Sequence, residues 1–262
     1  MAIGNNKGGS GKTALIVNLA AALADQGRRV LVVDVDPQAN ASRRLGRPFL
    51  AEAPTVTVSE VVKDGRPGVA VDGIVPCAWE GVYGMRIDVL PSRWDLEERV
   101  SEAAVMGARQ RLRSALDGAD DAYDVTLIDT PPNLGHLTQL GLAAARWTVA
   151  VSEPERDGVA GAVRIRDFVQ SELTQAELGN PELEFLAAVP SRVDSRVGSH
   201  DHHVGEMRRI FGDMLWEAVH ERAPIKDAAD EALPLAALGA RSREVRETYA
   251  ILAERLWKAV SA

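Results

Sequence analysis

Several things that the sequence lacks narrow what the protein can be. Cysteine occurs once, at Cys77, so an internal disulfide, a thiolate metal site and an iron-sulfur cluster are excluded. A reducing compartment, the cytoplasm, is the expectation. No basic-then-apolar leader opens the chain and no run of about 18 apolar residues occurs, so neither secretion nor a membrane span is expected. Cationic excess is missing too: the formal net charge is −8, which leaves nucleic-acid contact to a local patch. No internal repeat is visible. What is present, 262 residues with 46% hydrophobic and 26% charged positions, describes an ordinary globular chain. It is read as one domain over residues 1–262.

Apolar, β-branched runs alternate with helical stretches, the pattern of an α/β fold: a mostly parallel twisted sheet with helices on both faces. Strands are expected at 30–33, 86–90, 125–128, 147–151, 186–189 and 214–216, and helices at 12–25, 101–116, 137–145, 159–171, 203–211 and 242–260. Only Met1 to Ile3 precede the first loop, so the first strand is either short or begins upstream. Residues 46–84, rich in Pro and Gly, read as a loop-and-helix excursion.

The stretch "GNNKGGSGKT", Gly4 to Thr13, carries the strongest chemistry. Gly8, Gly9 and Gly11 lack Cβ atoms, so successive backbone N–H groups can turn inward around phosphate oxygens. The helix that follows presents its positive end to the same anion. Lys12 is placed for the β- and γ-phosphates and the Thr13 hydroxyl for Mg²⁺. The next residues, "ALIVNLAAALA", are apolar almost all round, as in a buried helix. A second lysine, Lys7, is the oddity.

Two further segments fit this loop. In "VLVVDVDPQAN" an apolar strand runs into Asp34 and Asp36, and in "YDVTLIDTPPNLG" another delivers Asp129. Both place a carboxylate at the strand's C-terminal end, the edge where open α/β sheets bind ligands. Asp129 there can support Mg²⁺ in the manner of a Walker B aspartate.

Together the three segments resemble the deviant Walker A, A′ and B motifs of the ParA/MinD P-loop ATPases, specifically the ParA branch. Weaker similarity runs through "VLPSRWDLEE", "VSEPERDGVAG", "AAVPSRVDSR" and "ERAPIKDAADEALPL". The resemblance implies ATP and Mg²⁺ as cofactors, with nucleotide held by Gly8, Gly9, Ser10, Gly11, Lys12, Thr13 and Ala14. It makes Lys7 the signature lysine that reaches the partner subunit's nucleotide in an ATP-bound homodimer. Asp36 would position the attacking water and, with Thr13 and Asp129, serve the metal. The segments 37–40 and 131–135 would be switches, and Ser191 and Arg192 would lie at the adenine. Function is then expected to be DNA partition with a ParB-like partner, slow intrinsic ATP turnover and nucleoid association in the ATP state. DNA contacts are expected from Arg192, Arg196, Arg208, Arg209 and Arg222, without sequence specificity. Alternatives are a ParA-like positioner of protein clusters or microcompartments, a MinD-type membrane ATPase and a metabolic enzyme on the same fold.

Other features carry less. "HDHH", His200 to His203, matches no common zinc spacing and reads as a polar surface loop. Val245, Tyr249, Leu252, Leu256 and Val260 line one face of the last helix and fit docking on the domain better than insertion into lipid. Arg109, Arg111 and Arg113 read as a solvated helix face.

Overall fold

The computed structural model describes residues 1–5 and 8–261; Asn6, Lys7 and Ala262 lie outside them. In chain order the elements are β1 (Ala2–Gly4), α1 (Lys12–Asp25), β2 (Val30–Asp34), α2 (Asn40–Arg44), α3 (Val58–Asp64), β3 (Val75–Pro76), α4 (Val82–Arg86), β4 (Ile87–Leu90), α5 (Arg111–Leu116) and β5 (Val125–Asp129). There follow α6 (His136–Ala144), β6 (Trp147–Ser152), α7 (Arg156–Gln170), α8 (Glu172–Leu178), β7 (Glu184–Val193), α9 (Gly198–Phe211), β8 (Val219–His220), α10 (Ala223–Asp230) and α11 (Arg243–Val260).

The strands make one sheet in the order β3-β4-β2-β5-β1-β6-β7-β8. Every neighbouring pair is parallel except β3 with β4. Both faces are covered, which is why the strands read as continuous apolar runs. In β2, Val30 and Val32 join one core with α1 and α11, while Leu31 and Val33 join the other with α3, α5, α6 and α7. That is the two-residue alternation of a pleated strand serving two layers. The first strand is short, three residues, but it lies between β5 and β6 and is paired on both edges.

The all-apolar helix α1 is buried along nearly its whole length, between the sheet and α11. Of the face expected on α11, Val245, Tyr249, Leu252 and Leu256 are buried and Val260 packs at the margin. Each such leucine contributes about 1.5–3 kcal/mol. The Arg28 guanidinium sits 3.7 Å over the Trp257 ring, so this aromatic is also engaged on the domain. Among the described residues no helix is long and apolar enough to cross a membrane.

Four expectations about elements are corrected. The helix expected at 101–116 is broken up: a 3₁₀ stretch ends at Glu102, irregular turns lead to a second over Ala108–Gln110, and only Arg111–Leu116 is α-helical. Gly107, at φ +76°, breaks the run. The strand expected at 214–216 is a single bridge from Leu215 to Ala188, and the edge strand is Val219–His220 instead. His200 to His203 lie in the first turns of α9 and not in a loop. Arg109 and Arg111 are partly buried, bonded to Gln139 and Glu102, while Arg113 caps the Gly179 carbonyl. The first two are inter-element ties, while Arg113 is exposed as expected.

Candidate functional site

The site is assembled at the C-terminal edge of β1, β2 and β5. Sheet register sets Asp129 beside both Ile3 and Asp34. The chain leaves β1, passes through the glycine loop and enters α1 at Lys12. Gly9 and Gly11 have φ of +81° and +88°, a region that costs L-residues steric energy. At Gly11 the need for glycine is twofold, because a Cβ there would lie 2.3 Å from the Ser191 hydroxyl oxygen. The end of β7 is thus pressed against the loop. Its neighbour Arg192 donates from Nη1 to the Gly9 carbonyl at 3.0 Å.

Beneath the loop is a compact polar centre. Thr13 donates its hydroxyl to Asp129 Oδ2 at 2.7 Å, while Asp129 Oδ1 is buried without a hydrogen-bond partner among the described residues. Lys12 is buried, and desolvation lowers its pKa against the opposing pull of Asp129 and Asp36. Asp129 is fully buried; desolvation and the nearby Asp34 raise its carboxyl to about 8. An orphaned carboxylate oxygen next to a threonine hydroxyl, with an ammonium group close by, is a donor set that suits Mg²⁺ bound with a polyphosphate. Ser10 Oγ is likewise buried and unpartnered in the loop among the described residues.

The two aspartates after β2 divide into different tasks. Asp34 is wholly buried and accepts hydrogen bonds from Ser42 N at 2.8 Å, Ser42 Oγ at 2.7 Å and Asp36 N at 3.2 Å. Burial raises its carboxyl to about 6. It anchors the turn that carries Asp36 and fastens α2 to the strand. Asp36, 8% exposed, lines the cleft, and its Oδ1 accepts from Gln38 N at 2.9 Å. Ala39 follows with φ +51°, a strained conformation for a residue with a Cβ. Arg192, at φ +56°, is another such residue at this cleft. In the segment after β5, Thr138 Oγ1 donates to the carbonyl of Asn133 at 2.6 Å, and Gly135 N to Asn133 Oδ1 at 2.7 Å.

The glycine loop, Asp36 and the end of β7 border a cleft of about 500 Å³, enough for a nucleotide. Its walls include Gly8 to Ala14, Asp36, Pro132, Ser191 and Arg192. Lys7 lies outside the described residues. Also in the wall are residues of the segment 219–230, Tyr249 of α11 and Arg44 of α2, to which sequence reasoning assigned no part in nucleotide binding. For the first of these a signal existed, the family-like run "ERAPIKDAADEALPL". Arg44 had none, because nothing in the sequence shows which way a five-residue helix presents its last side chain.

The five arginines expected at DNA fall into two groups. Arg192 is paired with Glu153 at 2.6 Å and Glu221 at 3.3 Å, Arg196 with Asp194 at 2.7 Å, and Arg222 with Glu244 at 2.8 Å. Arg208 and Arg209 are exposed on α9 and have no ion pair among the described residues. On the same helix, His202, His203 and Glu206 bring ligand-type atoms within 4.8 Å of one another, while His200 accepts from Asp194 N.

Comparison with known proteins agrees with this geometry. The AAA_31 family model, described as an AAA domain, matches residues 1–185. The chain is 34% identical over 232 residues to the chromosome-partitioning ATPase Soj of Thermus thermophilus, covering 87% of this chain and 83% of that one. It is 31% identical over 258 residues to the sporulation initiation inhibitor protein Soj of Bacillus subtilis, covering 98% and 97%. In fold it matches the ATP complex of a single-residue variant of Cyanothece McdA, with TM-score 0.82 and 22% identity over 99% of this chain and 95% of that one. The chain belongs to the ParA-type branch of the ParA/MinD family of P-loop ATPases.

Proposed function

We propose that the chain is a single-unit partition ATPase that dimerises on Mg-ATP, binds DNA without sequence preference and is stimulated by a ParB-like partner. The observation that supports its Mg-ATP part is the Thr13–Asp129 contact beneath the glycine loop, with Asp129 Oδ1 left unpartnered among the described residues; DNA, dimer and partner are carried over from the family. Thr13 and Asp129 would hold Mg²⁺, which neutralises charge on the phosphates. Lys12 and the loop amides would hold the β- and γ-phosphates. Asp36, fixed by the Asp34 anchor, would orient water for attack, and Lys7 would supply charge across a dimer interface.

Binding and chemistry should separate. Asp36→Ala is expected to bind ATP with near-normal affinity, accumulate as a dimer and lose at least about 100-fold in turnover, the order expected of a general base or water-positioning group. Lys7→Ala should keep binding but lose both the dimer and its turnover. Light scattering with ATP, paired with phosphate release, checks both. If Lys7→Ala dimerises and hydrolyses ATP like the wild type, the trans-acting lysine is wrong.

DNA binding is expected to require ATP. A dimer carries a formal charge of about −16, twice the −8 of one chain, so long-range attraction to DNA is absent. Dimerisation doubles the available cationic contacts, and each phosphate neutralised releases counterion, so binding should fall steeply with salt. Because Arg192, Arg196 and Arg222 are already ion-paired, Arg208 and Arg209 are the main candidates. Fluorescence anisotropy on unrelated duplexes is the measurement. Binding should vanish without ATP and drop about tenfold or more in the double variant Arg208→Ala, Arg209→Ala. An ATP-bound dimer without DNA affinity at low salt would favour positioning of a protein assembly instead.

A further inference from the structure

Five cationic side chains from the described residues line the cleft: Lys12, Arg44, Arg192, Arg222 and Lys226. Three are neutralised by carboxylates. Arg192 meets Glu153 and Glu221, Arg222 meets Glu244, and Lys226 meets Glu221 at 2.5 Å. Among the described residues, Lys12 and Arg44 make neither a side-chain hydrogen bond nor an ion pair. Lys12 is the phosphate-loop lysine. Arg44 has the same signature without an assigned role.

Arg44 ends α2, the helix that begins just after Asp36 and is pinned through Ser42 to Asp34. It also borders a narrow space lined by Val17 and Asn18 of α1 and by Ile225 and Ala229 of α10. Burial lowers its pKa, and Asp129, Tyr249 and Asp230 oppose that only through space. Arg44 is half-buried, and a guanidinium partly withdrawn from water is normally paired with an anion.

We propose that Arg44 is a nucleotide-binding residue, pairing its guanidinium with a phosphate oxygen of the nucleotide held at Lys12 and Thr13. The inference rests on the nucleotide reading of the cleft. The planar fork of donors matches a phosphate better than a ribose hydroxyl or a neutral base edge. The position has a mechanical consequence. A bond from the end of α2 to the nucleotide ties the segment carrying Asp36 to the occupied state of the cleft.

Calorimetric titration of the nucleotide-free protein with Mg-ATP, Mg-ADP, AMP and adenosine tests this, using the wild type, Arg44→Ala, Arg44→Lys and Asp230→Asn. Arg44→Ala is expected to weaken ATP and ADP about 10- to 100-fold, the range for hydrogen bonds to charged groups. Arg44→Lys should recover part of that loss, and the melting temperature without nucleotide should hold. Asp230→Asn should not reproduce that loss, because it removes a carboxylate and no cation from the wall of the cleft. Unchanged ATP affinity in Arg44→Ala would overturn the proposal. So would a loss reproduced by Asp230→Asn together with a lowered melting temperature, which would make Arg44 a structural partner of Asp230. Equal weakening of adenosine and of all its phosphates would also overturn it, moving the contact from the phosphates to the nucleoside. Wild-type protein that bound no ATP would overturn the nucleotide reading itself.

Discussion

Lys12→Ala is expected to abolish measurable ATP binding while leaving the nucleotide-free fold intact. Lys12 is buried at the head of α1, with Asp129 and Asp36 as its principal charged neighbours. Removing it leaves those carboxylates facing a polyanion without the cation that offsets them. Stripping one member from a desolvated charge arrangement typically costs about 3–5 kcal/mol, a loss of roughly 150- to 5,000-fold in affinity. Stability should respond differently. The lowered pKa of Lys12 shows that burial disfavours its charge, so alanine removes a desolvated ammonium and the melting temperature should be unchanged or higher. Calorimetry up to millimolar ATP, together with thermal denaturation, reads both effects. Affinity within about tenfold of the wild type would place the phosphates somewhere other than this loop.

The second large effect belongs to Asp129, and its sign depends on what is bound. Burial raises the carboxyls of Asp129 and Asp34 to about 8 and about 6, above the unfolded value of about 3.9. Folding therefore favours the protonated acids. Their contribution to stability is largest below about pH 4 and is lost as pH rises through the folded values towards about 8. Asp129→Asn removes the larger share of that loss. Without nucleotide the variant should melt higher than the wild type at about pH 8, by about 2–6 °C for a gain of about 1–2 kcal/mol, with little difference at about pH 4. With Mg-ATP the order reverses, because the ionised carboxylate is what the metal requires, and affinity should fall about 10- to 100-fold. Melting curves at the two pH values, with and without Mg-ATP, test the pair of signs. Asp129→Asn protein with wild-type magnesium dependence of ATP binding would remove Asp129 from the metal.

Much of this was legible in the sequence where the signal is local. The glycine loop, the all-apolar α1 and the apolar strands ending in Asp34 and Asp129 depend on spacing and periodicity over fewer than about twenty residues. The docking face of α11 was legible for the same reason. The helix expected over 101–116 was misread because polar and apolar residues there keep a rough helical period, while Gly107 breaks the backbone. His200 to His203 were misread because polarity suggested a loop, although Met207 and Phe211 further along bury the helix they begin. The anchoring task of Asp34 was not visible, since only the folded chain shows that it is sealed under α2, although the resemblance had already set Asp36 apart.

The sequence by itself therefore determined the inventory: a phosphate loop, carboxylates at strand ends, a buried leading helix and the ATPase family to which they belong. Tertiary structure decided which of these groups meet. Thr13 and Asp129 are 116 residues apart, and Arg192 and the Gly9 carbonyl 183 apart. They touch because β5 enters the sheet between β2 and β1 and because β7 ends against the loop. Tertiary structure also decided which charges are spent on one another, leaving Lys12 and Arg44 without partners among the described residues while Arg192 and Arg222 are neutralised. Local periodicity encodes the path of the backbone and the side that is buried. The order of strands, and with it the desolvation and pairing of each charge, is a property of contacts that only the folded chain makes.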